Sequence, residues 1–351
     1  MRKLYFVLSV DTEEEWDWDG PFPDQVISVE NVNHLPVFQK QLDDLGLKPS
    51  YFLDYAVLEK PRSRNILADL YQANPGIEFG SHLHPWVTPP IVPVRSEADS
   101  HIVNLPIDIV SEQLRRLTQT IQNLTGRQPT AFRSGRWGIN DDILGALAAQ
   151  GYLVDSSIYP FYENPWFSCA DFDSWPMAWS HLGTSPELIE LPVTAGFNHR
   201  PFARAQRMHK TLERPAWAQF HIIGALWALA LHRKIYLSPE LSSTRDMIAL
   251  CKQMLQIECP VIHMYLHSSS LLPGSTRYVR SDYDKNRLMR RIESVVRFLR
   301  RECDVEAVTI TDGALKLRED GALKRKAMQL ANFQTFDLGR SSESLLVYRD
   351  R

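Results

Sequence analysis

His82 and His84 are the residues whose type and spacing most directly suggest chemistry. They sit in Gly80-Ser81-His82-Leu83-His84-Pro85-Trp86, just after Gly76-Ile77-Glu78-Phe79, which reads as a short strand. Side chains two apart on a strand share a face, so the two imidazoles project together as half of a metal site. The other half is expected at the N-terminus, where Leu4-Tyr5-Phe6-Val7-Leu8-Ser9-Val10 runs into Asp11-Thr12-Glu13. That order places two carboxylates on one face of a strand end. One carboxylate with two imidazoles makes a three-ligand site that leaves a position open for water, as in catalytic rather than structural metal centres. A second carboxylate beside it can accept a proton from that water. Taken alone, the run Glu13-Glu14-Glu15 reads equally well as a solvated acidic turn, and only the histidines tip the balance.

These residues need a frame that brings them together. Strand patterns fall at residues 4–11, 50–55, 76–82, 129–133, 152–155, 188–193, 260–267 and 305–310. Between them lie apolar positions at helical spacing. Leu35, Phe38, Leu42 and Leu45 precede Gly46, and Leu114, Leu117, Ile121 and Leu124 precede Gly126. Alternating strands and helices predict a parallel sheet, because parallel neighbours need crossover connections. Seven or eight such units predict an α/β fold, an irregular (β/α)7-8 barrel related to the TIM barrel, with its chemistry at the C-terminal strand ends. Asp11, Asp54, His82, Arg133, Asp155 and His267 all fall at such ends. One domain over residues 1–320 is expected. Residues 87–106, rich in proline, read as a long loop over the site. Residues 196–242 read as a helical insertion with one helix from Ala216 to Arg233, and residues 321–351 as a tail.

Composition narrows the classes. At 44% hydrophobic and 23% charged the chain is an ordinary globular protein, and a net charge of −3 leaves no basic excess for nucleic acid. The four cysteines (Cys169, Cys251, Cys259, Cys303) are far apart and fit a reducing compartment. The N-terminal apolar run is short and ends in acidic residues, not a cleavage site, which points to the cytoplasm. The stretch Ile222 to Leu231 is too short to span a bilayer and reads as a packing helix. Trp217, Trp227, Arg233 and Lys234 keep open a contact with a membrane interface.

Five short motifs, in order, resemble carbohydrate esterase family 4, the polysaccharide deacetylases of the nodulation-type chitooligosaccharide deacetylase fold, over most of residues 3–315. Ser9-Val10-Asp11-Thr12-Glu13 stands where the family has Thr-Phe-Asp-Asp-Gly. The resemblance implies that Asp11 is the general base. Thr12 replaces the family's metal-binding Asp, and an Asp-x-Glu branch would make Glu13 the ligand. His82 opens the second motif, normally His-(Ser/Thr)-x-x-His, but the +4 position is Trp86. A subgroup with His-x-His-Pro-Trp followed by Thr-Pro-Pro, here Thr88-Pro89-Pro90, is more similar and makes His84 the second ligand. Phe132-Arg133-Ser134-Gly135-Arg136-Trp137 resembles the third motif, whose Arg orients the catalytic Asp. Gly151 to Ser157 resembles the fourth; Asp155 would buttress a histidine or shape the groove, and a helix N-cap is the competing reading. Ile262 to Ser270 resembles the fifth, with His267 as general acid and His263, four back, as a supporting histidine.

The resemblance therefore implies hydrolysis of an N-acetyl group on an amino sugar of a glycan or its precursor. A divalent metal, zinc in the simplest case, would sit on Glu13, His82 and His84. Trp16, Trp18, Trp86 and Trp137 lie beside the motifs and are candidate sugar-stacking rings, with rim packing as the alternative for each. Three other readings stay open: hydrolysis of another non-peptide C–N bond on the same fold, a glycoside hydrolase using Asp11 with Asp54 or Asp155, and a non-catalytic glycan-binding homologue.

Overall fold

The computed structural model describes residues 1–16, 22, 27–162, 180–182 and 185–320. Cys169, Trp18 and the expected tail lie outside them. Strand β1 (Lys3–Thr12) is the axis of the fold, and every residue after Lys3 is buried. Its nearly unbroken apolar run is what a strand covered on both faces requires. The remaining strands are β2 (Ser50–Leu53), β3 (Glu78–Leu83), β4 (Ala131–Ser134), β5 (Val154–Asp155), β6 (Ser180–Leu182), β7 (Ser185–Glu190), β8 (Ala195–Phe197), β9 (Lys234–Tyr236), β10 (Val261–His267) and β11 (Asp304–Val308).

The main sheet runs β10-β1-β2-β3-β4-β5-β7 in parallel, with β6 antiparallel on the far edge and β11 parallel to the first half of β1. Among the described residues, helices connect β1 to β2, β2 to β3, β3 to β4 and β4 to β5, as parallel connection demands. The expected barrel takes the form of a curled half-barrel, an α/β barrel-like sheet. Across the gap, the Thr194 N–H donates to the His263 carbonyl at 2.9 Å and the His263 N–H donates to Thr194 Oγ1 at 2.9 Å. The chain after β7 thus seals against β10 without a strand ladder.

Local signals act where they were legible. In helix Ile107–Thr125 the buried positions include Val110, Leu114, Leu117 and Ile121, and Gly126 ends it at φ 73°, a left-handed cap that suits glycine. Two expectations change. Residues 87–106 carry two short 3-10 turns, and Gln113 Nε2 donates to the carbonyls of Pro85, Thr88 and Pro90 at 2.8 to 3.0 Å, so the loop is pinned. The single helix over 216–233 is instead two short ones, Pro215–Ala218 and Ile222–Ala228, broken where His221 adopts φ 51°. The longer helix of the insertion, Phe202–Glu213, precedes them, and the antiparallel β8-β9 ribbon forms its base. Among the described residues no helix is long and apolar enough to cross a membrane.

Candidate metal centre and its acid-base flanks

Sheet register does the first assembly. Asp11 pairs with His267 across β1 and β10, and His82 pairs with Arg133 across β3 and β4. All four stand at C-terminal strand ends, two neighbouring pairs on one curled rim. Glu13 follows Asp11 by two, so period-2 geometry returns its side chain to the same side. Its Oε2 lies 3.2 Å from His82 Nε2 and 3.5 Å from His84 Nε2. Glu13, His82 and His84 offer donor atoms within 4.8 Å of one another, all buried. Thr12 is buried too, but its hydroxyl donates back to the Val10 carbonyl at 3.2 Å. It takes no part in the triad.

The outer nitrogen of each imidazole is also engaged. His82 Nδ1 lies 3.1 Å from the Arg133 carbonyl, and His84 Nδ1 lies 3.1 Å from Glu14 Oε2. An acceptor on Nδ1 keeps the proton there and leaves the Nε2 lone pair facing Glu13. Backbone carbonyls and carboxylates in that outer position are the usual partners of metal-binding histidines. The donor set, the tautomers and the burial therefore fit a divalent cation. Charge points the same way, because burial and the neighbouring Glu14 and Asp11 carboxylates push the Glu13 carboxyl up to about 7, and a cation there would relieve that repulsion.

Glu14 is a residue that the motif reading passed over as part of a solvated run. It is fully buried. It accepts from Trp86 Nε1 at 2.6 Å, and its backbone N–H donates to Asp54 Oδ2 at 3.2 Å. Burial would raise its pKa, but the neighbouring His84 outweighs that and holds the carboxyl below the ordinary range. Asp54 moves the other way, pushed well up by burial and by Glu14, while its Oδ1 caps helix Tyr55–Glu59 through the Val57 N–H at 2.9 Å. Trp86 was a candidate sugar platform, with packing as the alternative. It is 5% exposed, and its ring stacks on His84 at 4.3 Å. It clamps the His84 imidazole instead of facing solvent. Gly135 completes this clamp: a Cβ there would lie 1.9 Å from His84 Cδ2, so only glycine leaves room for the imidazole.

Asp11 is held by Arg133, whose Nη1 donates to Oδ1 at 2.5 Å. Arg133 is fully buried and makes further bonds to Ser9 Oγ (2.9 Å), Ser156 Oγ (3.0 Å) and the Ser156 carbonyl (3.1 Å). Its guanidinium lies over the Phe52 ring at 4.5 Å. Phe52 in turn reaches across Gly80, where a Cβ would come within 2.8 Å of the ring. Burial alone would raise the pKa of Asp11, but Arg133, His82 and His267 keep it below the ordinary range. His263 supports from beneath, with Nε2 2.8 Å from Ser9 Oγ. Burial and Arg133 lower its pKa to about 3.

His267 Nε2 lies 3.8 Å from Asp11 Oδ2, and its Nδ1 lies 2.9 Å from Glu240 Oε2. Burial opposes its charge, but Glu240, Glu13 and Asp11 raise its pKa to about 10. The carboxylate behind this histidine is thus Glu240, from the end of the insertion, and not Asp155. Asp155 accepts from Ser157 Oγ at 2.6 Å and pairs in register with Glu190 on β7. Burial raises both carboxyls, Glu190 the more strongly. Glu240 had no local signal, since it lies 27 residues from His267 in a segment without motif character. Trp137 adopts φ 64° and stacks on Tyr159 at 4.5 Å. Trp16 stacks on Phe22 at 4.8 Å and meets Trp86 edge-on at 5.8 Å.

No family model matches the chain, and no curated protein matches it. Solved structures do. A candidate glycoside hydrolase/deacetylase from Parabacteroides distasonis aligns over 91% of this chain and 71% of its own, at 10% identity and a TM-score of 0.57. A candidate polysaccharide deacetylase from Mycobacterium smegmatis aligns over 91% and 92%, at 16% identity and a TM-score of 0.49. At these identities the likeness to the first establishes a shared fold.

Proposed function

We propose that the chain is a metal-dependent hydrolase that removes N-acetyl groups from an amino sugar of a glycan or glycan precursor. The observation that carries this is the convergence of Glu13, His82 and His84 between an arginine-held carboxylate and a carboxylate-held histidine. A divalent cation on the triad, zinc in the simplest case, would supply Lewis acidity and lower the pKa of water from near 16 towards ~7. Asp11, kept ionised by Arg133, takes a proton as water adds to the acetamide carbonyl. His267, kept protonated by Glu240, then delivers its proton to the departing nitrogen, so that the C–N bond breaks to give acetate and a free amine. Acid and base are two groups whose surroundings drive their pKa values apart, the pattern of tuned acid-base pairs.

Subsites for the sugar are expected beside this rim. An open groove of about 500 Å³ is lined by Glu15, Trp16, Thr276, Arg277 and Arg280, among others. Its mixed polar and apolar lining suits a sugar. The glycoside hydrolase reading loses support, because Asp54 caps a helix beside Glu14 and Asp155 faces Glu190.

The test is acetate release from N-acetylated amino sugars, with and without a chelator. Activity that chelation abolishes and divalent cation restores is the expected result. Asp11→Ala and His267→Ala should each remove it while leaving cation binding in place. Full activity in either variant would overturn the assigned roles, and a chelator-resistant amidase would place the reaction elsewhere on this fold.

A further inference from the structure

The insertion carries a feature that the hydrolytic site does not use. Between Phe197 and Pro239 there are seven Lys and Arg residues and a single acid, Glu213, in a chain whose net charge is −3. On helix Phe202–Glu213 the exposed positions include Arg204, Arg207 and Thr211, one face at i, i+3 and i+7, and Arg214 extends the line. Beyond it the chain exposes large apolar side chains together: Trp217 at 48%, Phe220 at 64%, Leu229 at 68% and Leu231 at 59%. Helix Ile222–Ala228 has no buried residue at all. Exposed apolar groups grouped in this way mark an interaction surface.

We propose that this tip docks on an anionic lipid bilayer, lying in its interface. Two observations select that occupant. The apolar stretch is too short to span hydrocarbon but carries Trp217 and Phe220 just before it and Trp227 within it, as interfacial segments do. The cationic line beside it complements anionic headgroups, and each cation held near such a surface strengthens binding about fivefold. A second copy of the chain is a poor occupant, because a two-fold contact gathers the same cationic tip from both copies with only Glu213 of each to oppose it. The ribbon that carries the tip also ends beside the catalytic rim: Tyr236 stacks on Tyr159 at 4.2 Å, and Glu240 follows four residues later. Docking would therefore hold the hydrolytic site close to the membrane.

Vesicle co-sedimentation tests this directly, with purified full chain and phosphatidylcholine vesicles with or without phosphatidylglycerol. Binding should require the anionic lipid and weaken as salt rises. Arg204→Glu with Arg207→Glu and Arg214→Glu, or Trp217→Ser with Phe220→Ser and Leu229→Ser, should each reduce it at least tenfold. All six positions are exposed, so circular dichroism and acetate release from a soluble substrate should stay as in the parent, which separates this result from the fate of the hydrolase reading. Equal binding to both vesicle types, or none to anionic vesicles at low salt, would overturn the proposal. So would apolar substitutions that leave vesicle binding intact while turning a dimer into a monomer by light scattering.

Discussion

Among the described residues two histidine clusters stand out, and one of them is built like a metal site. At the sheet rim His82 and His84 turn their Nε2 atoms to one carboxylate, with both Nδ1 atoms held by acceptors behind. In the insertion His199, His232 and His209 form a series. His199 Nε2 meets His232 Nδ1 at 2.9 Å, His232 Nε2 meets His209 Nδ1 at 3.1 Å, and His209 Nε2 ends on Glu213 at 3.2 Å. Because Glu213 can only accept when ionised, neutral rings in this series each donate through Nε2, and His232 and His209 accept through Nδ1. Every lone pair along that chain except the first is already in use. Proximity of imidazoles is common to both clusters; convergence of free lone pairs, with their protons fixed elsewhere, belongs to the first alone.

Substitutions can break this contrast. The largest effect is expected from His84→Ala, which removes a ligand: cation affinity measured by chelator competition should fall by more than the 10- to 100-fold typical of an outer partner. His199→Ala should leave it unchanged. Gly135→Ala comes next. Its Cβ would overlap His84 Cδ2, so cation binding and hydrolysis should both collapse, and thermal unfolding should show a loss of about 1–3 kcal/mol from overpacking. Glu14→Gln keeps the volume and removes the charge behind His84, and should cost 10- to 100-fold in cation affinity.

Glu240→Gln addresses the acid side. His267 is held at about 10, above its unfolded value, so its contribution to stability is complete below about pH 6.5 and is lost as pH rises through 10. Without Glu240 the alkaline limb of the rate profile should move to lower pH, and stability should depend less on pH between those values. A profile that does not move would show that His267 is not the titrating acid. The smallest effect is expected in the insertion. His199→Ala leaves the buried His232 Nδ1 without its donor and should cost about 1–3 kcal/mol of unfolding free energy, with no change in hydrolysis of a soluble substrate.

Much of the rim was legible because its logic is local. The pair His82/His84 and the pair Asp11/Glu13 each rest on strand periodicity, and Gly126 ends its helix through a cap within one turn. The helix expected over 216–233 failed for the opposite reason. Its apolar residues face outward, so no core rewards a continuous helix, and composition alone did not reveal that. Trp86 was left between two readings, since an indole beside a motif reads the same whether it faces sugar or packs on a histidine, and burial decides for packing. Asp155 carries the right chemistry at a strand end, but β5 pairs with β7 and so turns it toward Glu190.

The sequence by itself determined which side chains share a strand face, which segments form the parallel strands, and that two imidazoles would stand with an acidic strand end as candidate ligands. Those outcomes follow from two-residue alternation and apolar continuity, which operate within one segment. Only the tertiary structure decided which carboxylate meets which histidine. Glu14 and not Glu15 lies behind His84, 70 residues away, and Glu240 and not Asp155 lies behind His267. Such pairings depend on sheet register and on how loops pack over the strand ends. Nothing in the spacing along the chain encodes a contact of a few ångströms between segments that far apart.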